Sequence, residues 1–189
     1  MSNKSKGTVK EAAAVTLSSF FNVKERIDIS SQAHAARAIA SDTDVVELLS
    51  DSAVYYRFDT IDADDVLTIT SVADNGGVAV FTSVAHGLSN GNVIVIRGCS
   101  DETYNVMGTV ANKAADTFEI GIAYTATDTG ECGVITDTIS ANNDIILPGG
   151  TVIQRSIPEG EQADRNDILV VHFKQETSAV TSYIRFIEL

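Results

Sequence analysis

Tryptophan is absent from this chain, and prolines and cysteines number two each in 189 residues. Two Cys, Cys99 and Cys132, cannot make a disulfide framework, and free thiols are the expectation. No apolar run approaches the roughly 18 residues that a membrane-spanning helix requires. Met1–Lys10 is polar and no apolar signal core follows it, so synthesis in a cytoplasm is expected. Positive charge is scarce. Thirteen Lys and Arg face 26 Asp and Glu, a net charge of −13. Such a surface repels phosphate backbones and anionic lipid headgroups, so neither nucleic acid nor membrane is an expected partner. Few aromatics and no Trp leave little for a sugar to stack on, which weighs against a glycosidase.

Patterns that carry chemistry are equally thin. His34, His86 and His172 lie far apart, and none has metal-ligand spacing. His86 precedes Gly87 in a turn and reads as a cap on backbone groups, while His172 sits in an apolar strand run and reads as a sheet-face residue. There is no G-x-S-x-G elbow, and neither Gly76-Gly77 nor Gly149-Gly150 opens a helix with a Lys. Asp59, Asp62, Asp64 and Asp65 crowd seven residues, with Asp42 and Asp44 upstream. A calcium loop needs a turn-forming Gly and a closing Glu, which this stretch lacks, so it reads as a solvated acidic turn. The residues thus point to no catalytic group, no metal ligand and no cofactor, and the chain reads as a non-enzyme.

What is present is β-forming material, at 44% hydrophobic residues. Short runs rich in β-branched and aromatic residues are broken by Ser, Asp, Asn and Gly, which predicts an all-β chain. The clearest are Val45–Leu49, Val54–Phe58, Val66–Thr70, Val78–Thr82, Val93–Ile96, Thr117–Ile120, Thr151–Ile157, Ile168–Phe173 and Ser182–Ile187. Gln32–Ala40 allows a helical turn, but Ala36, Ala38 and Ala40 alternate, and a strand is the preferred reading. Pro148 and Pro158 flank Thr151–Ile157; proline lacks a ladder donor and marks each strand end. Asn75-Gly76 and Asn90-Gly91 read as hairpin turns.

Charge is uneven along the chain. Residues 1–37 carry Lys4, Lys6, Lys10, Lys24, Arg26 and Arg37 against Glu11, Glu25 and Asp28, an excess of three positive charges. The rest is strongly acidic. Within this stretch Glu11–Phe21 allows one short helix, favoured by its alanines and Leu17 but not by Val15, Thr16, Ser18 and Ser19, and Phe20 and Phe21 at its end then need a surface to cover them. The expected organisation is an N-terminal arm over 1–24, a discontinuous β-sandwich over 25–62 and 136–189, and an inserted small β-barrel over 63–135.

Two resemblances attach to these segments. ERIDIS (25–30), DTDVVELLSDSAVYYRF (42–58), ILPGGTVIQRSIPEG (146–160) and SYIRFIEL (182–189) resemble small β-sandwich structural proteins of tailed-bacteriophage particles. Phe81–Val93, Tyr104–Gly108 and Asp116–Ile120 resemble a small β-barrel module recurrent in phage tail and other virion proteins. In outline that module is similar to the barrel inserted near the amino terminus of ubiquitin-activating enzymes. The resemblance implies a non-enzymatic virion component, made in the host cytoplasm, whose partners are other virion proteins. A capsid decoration subunit present in many copies, as a homo-oligomer, is the first expectation. A neck, tail or fibre-attachment protein is the alternative, and a carbohydrate-binding or glycan-active sandwich the third. Lys4, Lys6, Lys10, Phe20 and Phe21 are the expected partner contacts.

Overall fold

The structure, a computed structural model, describes residues 25–28, 34–40, 43, 45–136, 144–157, 166–176 and 183–188. Strands β1 (Glu25–Asp28), β2 (Ala35–Ala38), β3 (Val45–Ser50) and β4 (Val54–Ile61) precede a 3-10 turn at Ala63–Asp65. Strands β5 (Leu67–Ile69), β6 (Ser71–Asn75), β7 (Val78–Thr82) and β8 (Val93–Arg97) lead to a second 3-10 turn at Glu102–Tyr104. Then come β9 (Met107–Thr109), β10 (Thr117–Ala123), β11 (Gly130–Val134), β12 (Ile145–Leu147), β13 (Val152–Ser156), β14 (Ile168–Gln175) and β15 (Tyr183–Glu188). The chain is all-β, with no α-helix among the described residues. The ambiguous segment at 32–40 contributes strand β2, and the strand between the two prolines is β13. The arm over 1–24, with its expected helix and its contacts Lys4, Lys6, Lys10, Phe20 and Phe21, lies outside the described residues.

Four antiparallel sheets result. The flanking segments build β1-β15-β3-β13 and β12-β4-β14-β2, and the middle segment builds β10-β7-β6 and β5-β11-β8-β9. The longest ladder joins β4 to β14, from Ile61↔Ile168 to Val54↔Gln175. Successive strand side chains point to opposite faces. On β4 this sends Val54, Tyr56 and Phe58 one way, into a core with Val46 and Leu48 of β3 and Val171 and Phe173 of β14. That core lies between the two flanking sheets. Glu47, on the other face of β3, is buried but accepts a 2.6 Å hydrogen bond from Gln154 Nε2 on the neighbouring β13.

In the middle segment every strand pairs with another strand of the same segment. Its core stacks Phe81 on Phe118 at 5.5 Å and sets Tyr104 edge-on to Phe81 at 5.7 Å. The expected closed barrel is not formed. The two sheets meet at Thr70, where the chain bends from β5 into β6, and at one isolated bridge, Ala111↔Glu119. A single bridge is not a continuous ladder, so closure fails between β9 and β10. The first hairpin also differs by one residue: Asn75 pairs with Val78, leaving Gly76 and Gly77 as the turn. Both have positive φ (65° and 93°), the geometry of a two-residue hairpin turn that glycine adopts without a Cβ clash.

The middle segment does not stand apart from the flanking sheets. Val95 of β8 is fully buried with Ala36 of β2 and Ile168 and Val170 of β14, and Met107, Ile61, Val66 and Ile135 pack around them. Two features allow this approach. The residues of β2 on that face are the small Ala36 and Ala38. A Cβ at Gly133 of β11 would sit 2.8 Å from the Ile61 side chain, so glycine is what lets the two sheets come this close.

Candidate functional site

The face of β4 and β14 opposite the flanking core changes character along its length. Ile61, Ile168 and Val170 form the apolar end that meets the middle segment. Arg57, Asp59 and His172 follow by strand alternation and form a charged end. Where the apolar contact stops, a cleft of about 490 Å³ opens between the two segments. One wall is the end of β4 and the turn after it, with Asp59, Asp62, Asp64 and Asp65; the other is His86, Val134, Ile135 and Thr136. Leu67, Val170 and His172 complete it. Among the described residues no Lys or Arg lines it.

The acidic turn is held in place by backbone bonds. The Asp65 amide donates to the Asp62 carbonyl (2.8 Å), and the Ala63 amide donates to Asp167 Oδ1 (2.8 Å) at the start of β14. Asp62, Asp64 and Asp65 are exposed. The sequence reading of a solvated acidic turn agrees with this placement. Among the described residues, no group of three or more His, Cys, Asp or Glu is arranged to hold a metal ion.

The histidines behave differently from one another. His86 caps as expected: its Nδ1 accepts the Leu88 amide at 2.9 Å. An accepting Nδ1 carries no proton, so the proton of the neutral ring is on Nε2. That Nε2 is buried and has no hydrogen-bond partner among the described residues, although His86 itself lines the cleft.

His172 is a sheet-face residue, as the strand pattern indicates, but its surroundings were not legible from spacing. His34, 138 residues away, stacks on it at 5.0 Å, with His34 Nε2 2.7 Å from His172 Nδ1. His172 Nε2 lies 3.8 Å from Asp59, whose carboxylate is 3.6 Å from Arg57; Arg57 also bonds Asp144 at 3.2 Å. Burial pushes the His172 ring down to about 4, helped by His34 and Arg57 and opposed by Asp59 and Asp144. Burial, then Arg57, also lowers His34. The pair is therefore neutral at pH 7 and acts as a buried hydrogen-bonded contact that joins the residue before β2 to β14.

Cys99 and Cys132 are both buried free thiols, and burial pushes each up to about 12. Thiols held that high are protonated and poorly nucleophilic. No protein-family model, curated protein or solved structure matches the chain.

Proposed function

We propose that this chain is a non-enzymatic structural component of a bacteriophage particle, a capsid decoration subunit that binds the assembled shell in many copies. The observation that carries this reading is an apolar lip on two sheet edges. Strands β12 and β13 are each an edge strand of a flanking sheet, and the turn at 148–151 joins them. Ile145 and Ile146 on β12 and Val152 on β13 are 62%, 45% and 50% exposed. Edge strands offer unpaired N–H and C=O groups, and soluble chains usually protect them with charge or Pro. Exposed apolar side chains there fit a strand or loop of a neighbouring subunit. The resemblance of 42–58, 146–160 and 182–189 to phage sandwich proteins supports the same reading, because 146–160 contains Ile146 and Val152 of this lip.

The mechanism is mass action. A subunit that binds only the assembled shell stabilises it by RT ln(1 + [L]/Kd) per site. The N-terminal arm adds a second contact through Lys4, Lys6, Lys10, Phe20 and Phe21. Each Phe, if fully covered, contributes about 1.5–3 kcal/mol, whereas an ion pair made by a lysine at a surface contributes little. Co-sedimentation with particles lacking the chain tests both contacts. Replacing Ile146 and Val152 together by Lys is expected to weaken binding about tenfold or more, since each apolar side chain left uncovered loses on the order of 1 kcal/mol. Deleting residues 1–24 is expected to weaken it further. Unchanged binding by both variants would overturn the reading.

A further inference from the structure

We propose that the acidic cleft between the middle segment and the β4–β14 face is a receptor for a lysine or arginine side chain on an extended segment of a partner protein. This inference stands on the cleft alone, whether or not the partner is a phage shell.

Three features select that ligand. Four carboxylates, Asp59, Asp62, Asp64 and Asp65, line the cleft with no Lys or Arg among the described residues that line it, so a positive charge is favoured there and an anion is repelled. Asp59 already faces Arg57 and His172, which leaves the three exposed carboxylates of the turn for a ligand. The second feature is His86. It lines the cleft and stands edge-on to Phe118 at 5.5 Å, and among the described residues its buried Nε2–H has no hydrogen-bond partner; a buried donor left unpaired costs free energy that a ligand acceptor recovers. A bare cation has no acceptor to offer; a peptide segment has a backbone carbonyl beside every side chain. The third is the apolar surface of Leu67, Val134 and Ile135, which suits the methylene stem of Lys or Arg beneath its charged head. The volume, about 490 Å³, is in the range of clefts that hold a side chain with its flanking backbone.

Other ligands fit less well. A divalent cation needs convergent oxygens, and among the described residues no such group forms. A sugar would find no aromatic ring other than imidazole among the described residues of the lining. The acidic turn is fixed by its own backbone bonds and by Asp167, so little ordering is lost when a segment docks.

The test uses the full chain and a capped peptide, Gly-Lys-Gly-Arg-Gly, titrated by calorimetry while NMR follows the imidazole C–H signals of His86 and His172. A second peptide with norleucine and citrulline in place of Lys and Arg is the neutral control. The expected result is binding by the basic peptide that shifts the His86 signal and weakens with salt. The combined variant Asp62→Asn, Asp64→Asn and Asp65→Asn is expected to bind about tenfold more weakly, because exposed ion pairs contribute a fraction of a kcal/mol each. These three side chains are exposed, so the fold is expected to survive; Asp64→Lys is a single-site check of the same contact. Equal binding by the neutral peptide, an unmoved His86 signal, or calcium chloride shifting that signal in place of the peptide would each overturn the proposal.

Discussion

Replacing Tyr104 by alanine is expected to destabilise the middle segment by about 3–5 kcal/mol, the range for removing a buried large aromatic ring. Tyr104 is fully buried and its ring closes one edge of the Phe81–Phe118 stack. Its hydroxyl does more than fill space. It accepts from the amides of Thr125 (2.8 Å) and Ala126 (3.0 Å) and donates to the Ala126 carbonyl at 2.9 Å. One side chain thereby fixes the loop between β10 and β11. Tyr104→Phe keeps the ring and strands those three backbone groups, so a cost of about 1–3 kcal/mol is expected from the hydroxyl alone. Urea denaturation of the two variants separates the terms. Since a whole domain is stable by only about 5–15 kcal/mol, the alanine variant is expected to unfold at a much lower midpoint. A Phe variant as stable as the parent would show that the hydroxyl bonds carry no net weight.

Stability is also expected to fall with acid in a window set by His172. The folded ring binds its proton only near pH 4, whereas the unfolded chain binds it near 6.5. Between those values unfolding takes up a proton, so acid favours the unfolded state. The stabilisation is complete above pH 6.5 and is lost as pH falls towards 4, on the order of 3 kcal/mol in total at 1.36 kcal/mol per unit. His34 shifts in the same direction and adds to the loss. Asp101, held low by the Thr103 and Thr125 hydroxyls, titrates below its ordinary value of 3.8 and so acts outside this window. Thermal melts from pH 7.5 to 4 check this, with His172→Gln as the comparison. The parent curve is expected to slope and the variant curve to flatten; equal slopes would contradict the assignment.

Much of the fold was legible in local pattern. The prolines at 148 and 158 bracket β13, and alternation placed β2 where alanine composition alone favoured helix. Strand β6 was missed because Ser71–Asn75 carries only one long apolar side chain, Val72. Its strand state comes from pairing with β7, a tertiary cause that overrides weak local preference. Tyr104 closes a 3-10 turn capped by Asp101, whose carboxylate accepts the Thr103 amide, and no local apolar pattern marks that turn. Of the candidate site, the acidic turn and the His86 cap were visible because both are short-range. The His34–His172 contact and the cleft were not. The first depends on the β2–β14 register and the second on the close approach of the two segments at Gly133, and neither leaves a spacing signal.

Whether the chain is a particle component is read most directly by quantitative mass spectrometry of purified phage particles whose genome encodes it. The proposed function predicts the chain in a fixed, stoichiometric ratio to the major shell protein, retained through washing and separable from neck and tail fractions. Its absence from particles, with the chain abundant in the soluble fraction of the same lysate, would contradict that function.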